Sequence, residues 1–337
     1  RCLGVADGTT YHARRMLLET VQMVQQFTPC KVVYGDTDSV MVVFDGRLSN
    51  EAAFDLGDQA AAFITDKFPA GVELEMEKTF YPYMLINKKR YAGLSYVRNK
   101  QGQVVFNEVD AKGIELARRD NCLLAKAVYE RGLNALLYER NVTLCCERVA
   151  GELQRMASND FELDQYIVSK QLKKDYVNED AIAHKRVVDK MRERRPGSEP
   201  QVGDRVPYVI IQNAKAKAKV ADRAEDPEYV RQHPMLKIDR CHYAQTQIIN
   251  PIAALLEPVK DAPLHLLQAP LSVMERQRDR QTTLGAFLQP IDRDAPTSST
   301  RAFDPVPHVA AIKPPLGAPR KNVSKKQKKS LHDFLAQ

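Results

Sequence analysis

The sequence predicts an α+β fold: an antiparallel-sheet portion, then a mainly helical portion, then a flexible basic tail. Three observations predict it. Strand-like runs at 31–34 and 40–44 flank a polar turn, and more strand-like runs follow up to about residue 118. Helical apolar spacing takes over from about Asn121. After about Pro258 prolines recur and apolar runs become few.

Each element has a local reason. Residues 9–28 read as a helix, with Leu17, Val21 and Val24 at i, i+4 and i+7 and Met16 and Met23 beside them. The runs at 31–34 and 40–44, around Asp36-Thr37-Asp38, read as a β-hairpin. Residues 50–68 read as a second helix through Ala52, Phe54, Ala61, Phe63 and Ile64. Strands are expected at 72–77, 83–86, 90–96 and 104–106, the last two joined by a turn at Gly102. Helices are expected at 121–139, 143–157, 178–194 and 239–257, with a short strand at 208–212. This divides the chain into 1–118, 119–258 and a Pro-rich basic tail, 259–337, expected to be disordered.

Composition narrows the function classes. The chain has 337 residues, 44% of them hydrophobic and none of them Trp, so its core must rest on Leu, Val, Ile and Ala. It opens on Arg1 rather than Met, which leads us to expect a fragment or a processed product. A net charge of +7 favours a polyanionic partner. No apolar run is long enough to span a bilayer, so nucleic acid explains the charge better than a membrane does. The six cysteines, Cys2, Cys30, Cys122, Cys145, Cys146 and Cys241, form no CxxC pair. Neither a zinc or iron-sulfur site nor a disulfide framework is expected, and free thiols fit a reducing compartment, nucleus or cytosol.

The hairpin carries the chemistry. Asp36 and Asp38 are two carboxylates at i and i+2 beside a tight turn, with apolar flanks that seat the hairpin on a core. In a regular strand they would share a face, and like charges held that close call for a cation between them. Hard oxygen donors of this kind suit Mg²⁺ or Mn²⁺ with phosphates completing the shell. A bare Asp-x-Asp is also an ordinary solvated turn.

The flanks decide between these readings. Tyr34-Gly35-Asp36-Thr37-Asp38-Ser39 between two hydrophobic strands resembles motif C of the B-family DNA polymerases. Leu74-Glu75-Met76-Glu77-Lys78, Asn87-Lys88-Lys89-Arg90-Tyr91-Ala92-Gly93, Lys112-Gly113-Ile114-Glu115 and Arg118-Arg119-Asp120-Asn121-Cys122 resemble later segments of that family, in family order. Gly203-Asp204-Arg205-Val206-Pro207-Tyr208, Glu225-Asp226-Pro227, and Tyr243 with Gln247 resemble its delta-type branch. The resemblance covers residues 1 to about 258. It implies that 1–118 is the C-terminal part of a polymerase palm and 119–258 a helical thumb.

It also implies roles. Asp38 is the main ligand of a two-metal Mg²⁺ site, Mn²⁺ being a substitute, and Asp36 stands close by in a less defined role. Glu77 or Glu75 is either an outer ligand or a surface carboxylate paired with Lys78. Lys88, Lys89, Arg90 and Tyr91 contact primer-template phosphates, and Lys112, Arg118 and Arg119 read the same way. Lys170, Lys173 and Lys174 suit either the duplex or a solvated helix face. The implied substrates are primer-template DNA and deoxynucleoside triphosphates.

The family's motif A, with the second metal-binding Asp, and motif B, with a triphosphate Lys, do not occur in these residues. The fragment alone is therefore expected to be inactive or nearly so. A non-catalytic piece that only grips duplex DNA, and a nuclease reusing an Asp-x-Asp hairpin, are the competing readings.

The tail departs from the cellular delta type, which carries two CxxC modules after the thumb; Cys241 is the last cysteine here. That suggests a large DNA virus, herpesvirus-like, as the source and the nucleus, the host's in that case, as the location. Gln281, Leu284, Phe287 and Leu288 have the Q-x-x-L-x-x-F spacing of sliding-clamp peptides, with Leu288 where a second aromatic is commoner. Leu331, Phe334 and Leu335 repeat the spacing without the Gln. The expected partner is a sliding clamp or a viral processivity factor. The cluster Arg320, Lys321, Lys325, Lys326, Lys328 and Lys329 reads as a nuclear localisation signal or a DNA patch.

Overall fold

The structure, a computed structural model, describes residues 2–212, 218–259 and 261–287, the last seven of them as backbone only. Helix α1 (Leu3–Phe27) leads into the antiparallel hairpin β1 (Cys30–Asp36) and β2 (Ser39–Phe44), and α2 (Asn50–Thr65) follows. Ser49 caps α2, its hydroxyl accepting from the Ala52 amide at 3.2 Å. A small core of Val24, Ala60 and Ile64, with Phe27, Val32, Val42 and Leu74 against it, joins both helices to the hairpin. The first half of α1 packs on little: Leu3, Val5 and Tyr11 are exposed.

The expected strand at 72–77 does not form. The segment has strand alternation, Glu73, Glu75 and Glu77 exposed and Leu74 and Met76 turned inward, but no ladder partner among the described residues. Its hydrogen bonding goes to α2 instead: the Thr65 hydroxyl accepts from the Leu74 amide at 2.9 Å. Met76 packs where Gly57 leaves room, since a Cβ there would lie 2.6 Å from the Met76 sulfur.

Strands β3 (Thr79–Asn87), β4 (Arg90–Arg98) and β5 (Val104–Lys112) form an antiparallel sheet in that order. Its Met84, Ala92 and Leu94 join the large core of the helical portion. That core centres on α3 (Leu123–Leu137) and α4 (Val142–Ser158), where Val128, Leu133, Cys145, Val149 and Leu153 are fully buried. Asn141 caps α4 through the Leu144 amide at 2.9 Å.

The remainder mixes elements more than the periodicity predicts. Strand β6 (Val168–Gln171), helix α5 (Ala183–Arg194), strands β7 (Arg205–Ile210) and β8 (Ala224–Glu225) and helix α6 (Pro227–Gln232) form a small antiparallel sheet with flanking helices. Lys170 therefore lies on β6, and Lys173 and Lys174 follow it in a loop, not on a helix. Buried Glu225 holds this unit together, accepting from Arg194 at 2.8 and 3.0 Å and pairing with Lys190 at 3.3 Å. Burial alone would raise its pKa, but the two cations prevail and lower it. Its contribution to stability is thus present at neutral pH and fades only as pH falls below the ordinary carboxylate range.

The last helix of the predicted series runs as α7 (Arg240–Tyr243), a π-helical segment (Ala244–Ile249) and α8 (Asn250–Leu255). The chain does not end its packing there. Helix α9 (His265–Phe287) lies within the expected tail, and its Leu267, Leu271 and Met274 are buried in the large core against α4. Their i, i+4, i+7 spacing is helical; Pro258, Pro263 and Pro270 obscured it. The disorder expected from residue 259 is thus corrected for residues 265–287, which form a helix. Leu271→Ala is expected to cost about 2–3 kcal/mol in urea unfolding. A disordered residue would cost nothing measurable.

All six cysteines are free thiols. Burial pushes Cys122 up to about 11 and Cys145 up to about 12. Among the described residues no helix is long and apolar enough to cross a membrane.

Candidate active site

The tips of two hairpins meet at the Asp-Thr-Asp turn. In the first, Asp36 pairs with Ser39 across the two-residue loop of Thr37 and Asp38, and Thr37 takes φ +55°. The Asp36 carbonyl accepts from the Asp38 amide at 2.6 Å and from the Ser39 hydroxyl at 3.1 Å. Asp38 therefore sits in the turn, and the strand rule that would put both carboxylates on one face does not apply. In the second hairpin, Asn87 pairs with Arg90 across Lys88 and Lys89, and Lys89 takes φ +59°.

Lys89 is the join. Its ammonium donates to Asp36 Oδ1 at 2.6 Å and its amide donates to the Tyr34 hydroxyl at 2.8 Å. The bond from Lys89 holds the Asp36 carboxyl below the usual carboxylate range, and the same bond raises the Lys89 ammonium. Tyr91 lies beneath, its ring 6.4 Å from Tyr34, 5.6 Å from Tyr83 and 6.1 Å from Phe80. The Tyr83 hydroxyl reaches the Met41 sulfur on β2 at 2.6 Å. Burial raises the Tyr83 phenol, so it stays protonated.

Asp38 is different from Asp36. It is exposed, and among the described residues its carboxylate has no hydrogen bond or ion pair. As a hard oxygen donor with no competing partner it fits a divalent ion. Among the described residues no group of three or more acidic, His or Cys side chains is gathered to hold a metal, so the hairpin offers part of a site. Glu77 pairs with Lys78 at 3.0 Å and is exposed, as is Glu75, and no contact brings either to the hairpin carboxylates.

Most of the predicted phosphate-contacting cations are already paired. Lys89 is bound to Asp36 at 2.6 Å, and Lys112 reaches buried Asp110 at 3.6 Å, an acid that Lys78 of the neighbouring segment also meets at 3.0 Å. Arg90 meets Glu115 at 3.8 Å, and Arg118 forks onto Asp120 at 3.0 Å through both Nε and Nη2. Lys170 stands 3.9 Å from Asp120. Lys88 and Arg119 are exposed, and neither has a side-chain partner among the described residues. Lys89, Arg90 and Lys170 meet acids of other segments, whereas Asp110 and Asp120 stand two positions from Lys112 and Arg118; the motif reading weighed the cations without these neighbours. Lys88→Met is expected to reduce the slope of log affinity for duplex DNA against log salt by about 0.9, and Lys112→Met by much less.

Gln281, Leu284 and Phe287 lie on the last turns of the α9 backbone, with side chains outside the described residues. Leu288, the terminal Leu331, Phe334 and Leu335, and the basic cluster from Arg320 lie outside them altogether.

Comparison with known proteins supplies the class. Residues 1–259 match the profile of DNA polymerase family B, and the chain belongs to that family. Within it, the chain is 42% identical over 278 residues to the DNA polymerase delta catalytic subunit of Arabidopsis thaliana, covering 79% of this chain and 25% of that protein. The delta catalytic subunit of Bos taurus is 37% identical over 269 residues, covering 77% and 24%. A family B polymerase structure from the archaeon Pyrobaculum calidifontis aligns with a TM-score of 0.50 at 27% identity, over 75% of this chain and 30% of that one. The chain thus spans about a quarter of the length of these curated relatives. They are eukaryotic delta subunits, so the viral source expected from the tail gains no support.

Proposed function

We propose that this chain is the C-terminal palm and thumb of a delta-type DNA-directed DNA polymerase, a nucleotidyltransferase that extends a primer 3′-hydroxyl on a template. The supporting observation is the docking of the Asp36-Thr37-Asp38 turn on the Lys88-Lys89 turn through Lys89, with the Asp38 carboxylate and the Lys88 ammonium each lacking a side-chain partner among the described residues. Residues 1–118 are the palm portion, and the thumb runs from 119 through 258 and on into α9.

In this reading Asp38 holds a divalent ion, Mg²⁺ or Mn²⁺ in its place, together with an acid of motif A on the parent protein. The chemistry such an ion would supply there is activation of the primer hydroxyl and compensation of triphosphate charge. Lys88 and Arg119 hold backbone phosphates of the primer-template, which gives affinity without sequence preference. That suits an enzyme copying any sequence. The aromatic packing of Tyr34, Tyr83 and Tyr91 keeps the two turns in register while DNA passes.

The test is primer extension by the intact parent polypeptide, expected with Mg²⁺ and absent in chelator; no extension with metal would overturn the reading. For the 337 residues alone, a duplex-gripping piece without catalysis is favoured by two observations. Asp38 has no gathered acidic partners among the described residues, and motifs A and B are absent from the sequence.

A sliding clamp is the proposed partner of Gln281, Leu284, Phe287 and Leu288, and the nucleus the proposed location, supported by the eukaryotic delta relatives. Deleting 281–337 is expected to leave short extension intact and shorten products when the clamp is present. Equal product lengths would count against the clamp.

A further inference from the structure

We infer that Asp36 is a positioning residue that acts through Lys89, and that the two aspartates of the turn divide their work. The inference rests on the reading of this hairpin as the catalytic one. One oxygen of Asp36, Oδ1, receives both the Lys89 ammonium at 2.6 Å and the Thr37 hydroxyl at 3.3 Å. A carboxylate engaged in a charge-assisted bond of that length is committed to it. Asp38, two residues on, has no such engagement.

The geometry ties a single residue from several sides. Tyr34 and Asp36, on one strand, grip the amide and the ammonium of Lys89, which belongs to a different sheet. No ladder joins the two sheets. Lys89 is non-Gly with φ +59°, a conformation that persists where its surroundings hold it. From behind, Gly113 passes so close that a Cβ would lie 2.0 Å from the Lys89 carbonyl oxygen. The turn is thereby held between β1 and the chain following β5. Lys88, its neighbour, is exposed and has no side-chain partner among the described residues, so Asp36, by holding the turn, sets where that charge stands relative to Asp38.

Hydrogen exchange on the metal-free, DNA-free chain tests this at the Lys89 amide. Asp36→Asn and Lys89→Met are each expected to speed its exchange about tenfold or more. The double variant should go no further than the faster single one, and Lys89→Arg should keep protection. Asp38→Asn should stay within about twofold of the parent. Exchange on β4 and β5 reports that each variant folds; if Asp36→Asn does not fold, Lys89→Met against Lys89→Arg makes the same comparison.

In the intact parent, Asp36→Asn is expected to raise KM for primer-template while kcat stays within about threefold. Equal exchange in Asp36→Asn and Asp38→Asn would overturn the inference, as would a kcat loss in Asp36→Asn matching that of Asp38→Asn. The exchange measurement needs neither metal nor DNA, so a parent that fails to extend primers sinks the polymerase reading and leaves the positioning result standing.

Discussion

Replacing Asp38 by Asn in the intact parent is expected to lower the single-turnover rate of primer extension by about 10³-fold, roughly 4 kcal/mol of transition-state stabilisation. The amide keeps the size of the side chain and removes its charge, which is what a hard divalent ion requires. Folding should not change, because the Asp38 carboxylate makes no hydrogen bond or ion pair among the described residues. Duplex affinity in chelator should also hold, since Asp38 pairs with none of the predicted phosphate-contacting cations among the described residues. The measurement is rapid-quench extension alongside thermal melting. A variant within tenfold of the parent, with unchanged melting, would remove Asp38 from the metal site.

Gly113→Ala is expected to give the largest loss of stability, about 3 kcal/mol in urea unfolding. Two effects add there. The residue has φ +63°, which an L side chain adopts at a cost. The added Cβ would also meet the Lys89 carbonyl at 2.0 Å, and a backbone oxygen cannot swing aside as a side chain can. Gly102→Ala separates the two effects. It has φ +80° but nothing within 4 Å of the added atom, so only about 1 kcal/mol is expected. Equal losses at both positions would show that the close approach to Lys89 carries no energy.

The hairpin and the three-stranded sheet were legible because their patterning is local: apolar runs, a polar two-residue loop, and a Gly turn at Gly102. The helices α3 and α4 were legible for the same reason, with boundaries off by only a residue or two at most ends. What the sequence concealed depends on distant partners. Residues 72–78 alternate like a strand, yet α2 takes their hydrogen bonding. Strand β6 exists because β7 pairs with it. Helix α9 carries a helical stripe interrupted by Pro270, and α4 supplies the burial that overrides the proline.

At the site, the Asp-x-Asp and Lys-Lys-Arg-Tyr segments were evident as motifs. That Lys89 is bound to Asp36 was not, because 53 positions separate the two along the chain. Lys112 and Arg118 differ: their partners Asp110 and Asp120 are only two positions away, but whether such neighbours meet depends on the local backbone, which the motifs do not specify.

The internal pairing of these cations has a bearing on how tightly this portion would hold the duplex proposed for it. Lys112, Arg90 and Arg118 enter any encounter with DNA already neutralised, so few condensed counterions are displaced when a duplex arrives. A grip with few counterions to release is shallow, and its residence time on any one stretch is short. In the polymerase proposed above, such a surface would let the duplex advance after each addition without a deep electrostatic well to climb from. It also leaves the duty of staying on the template to whatever lies beyond the two docked turns.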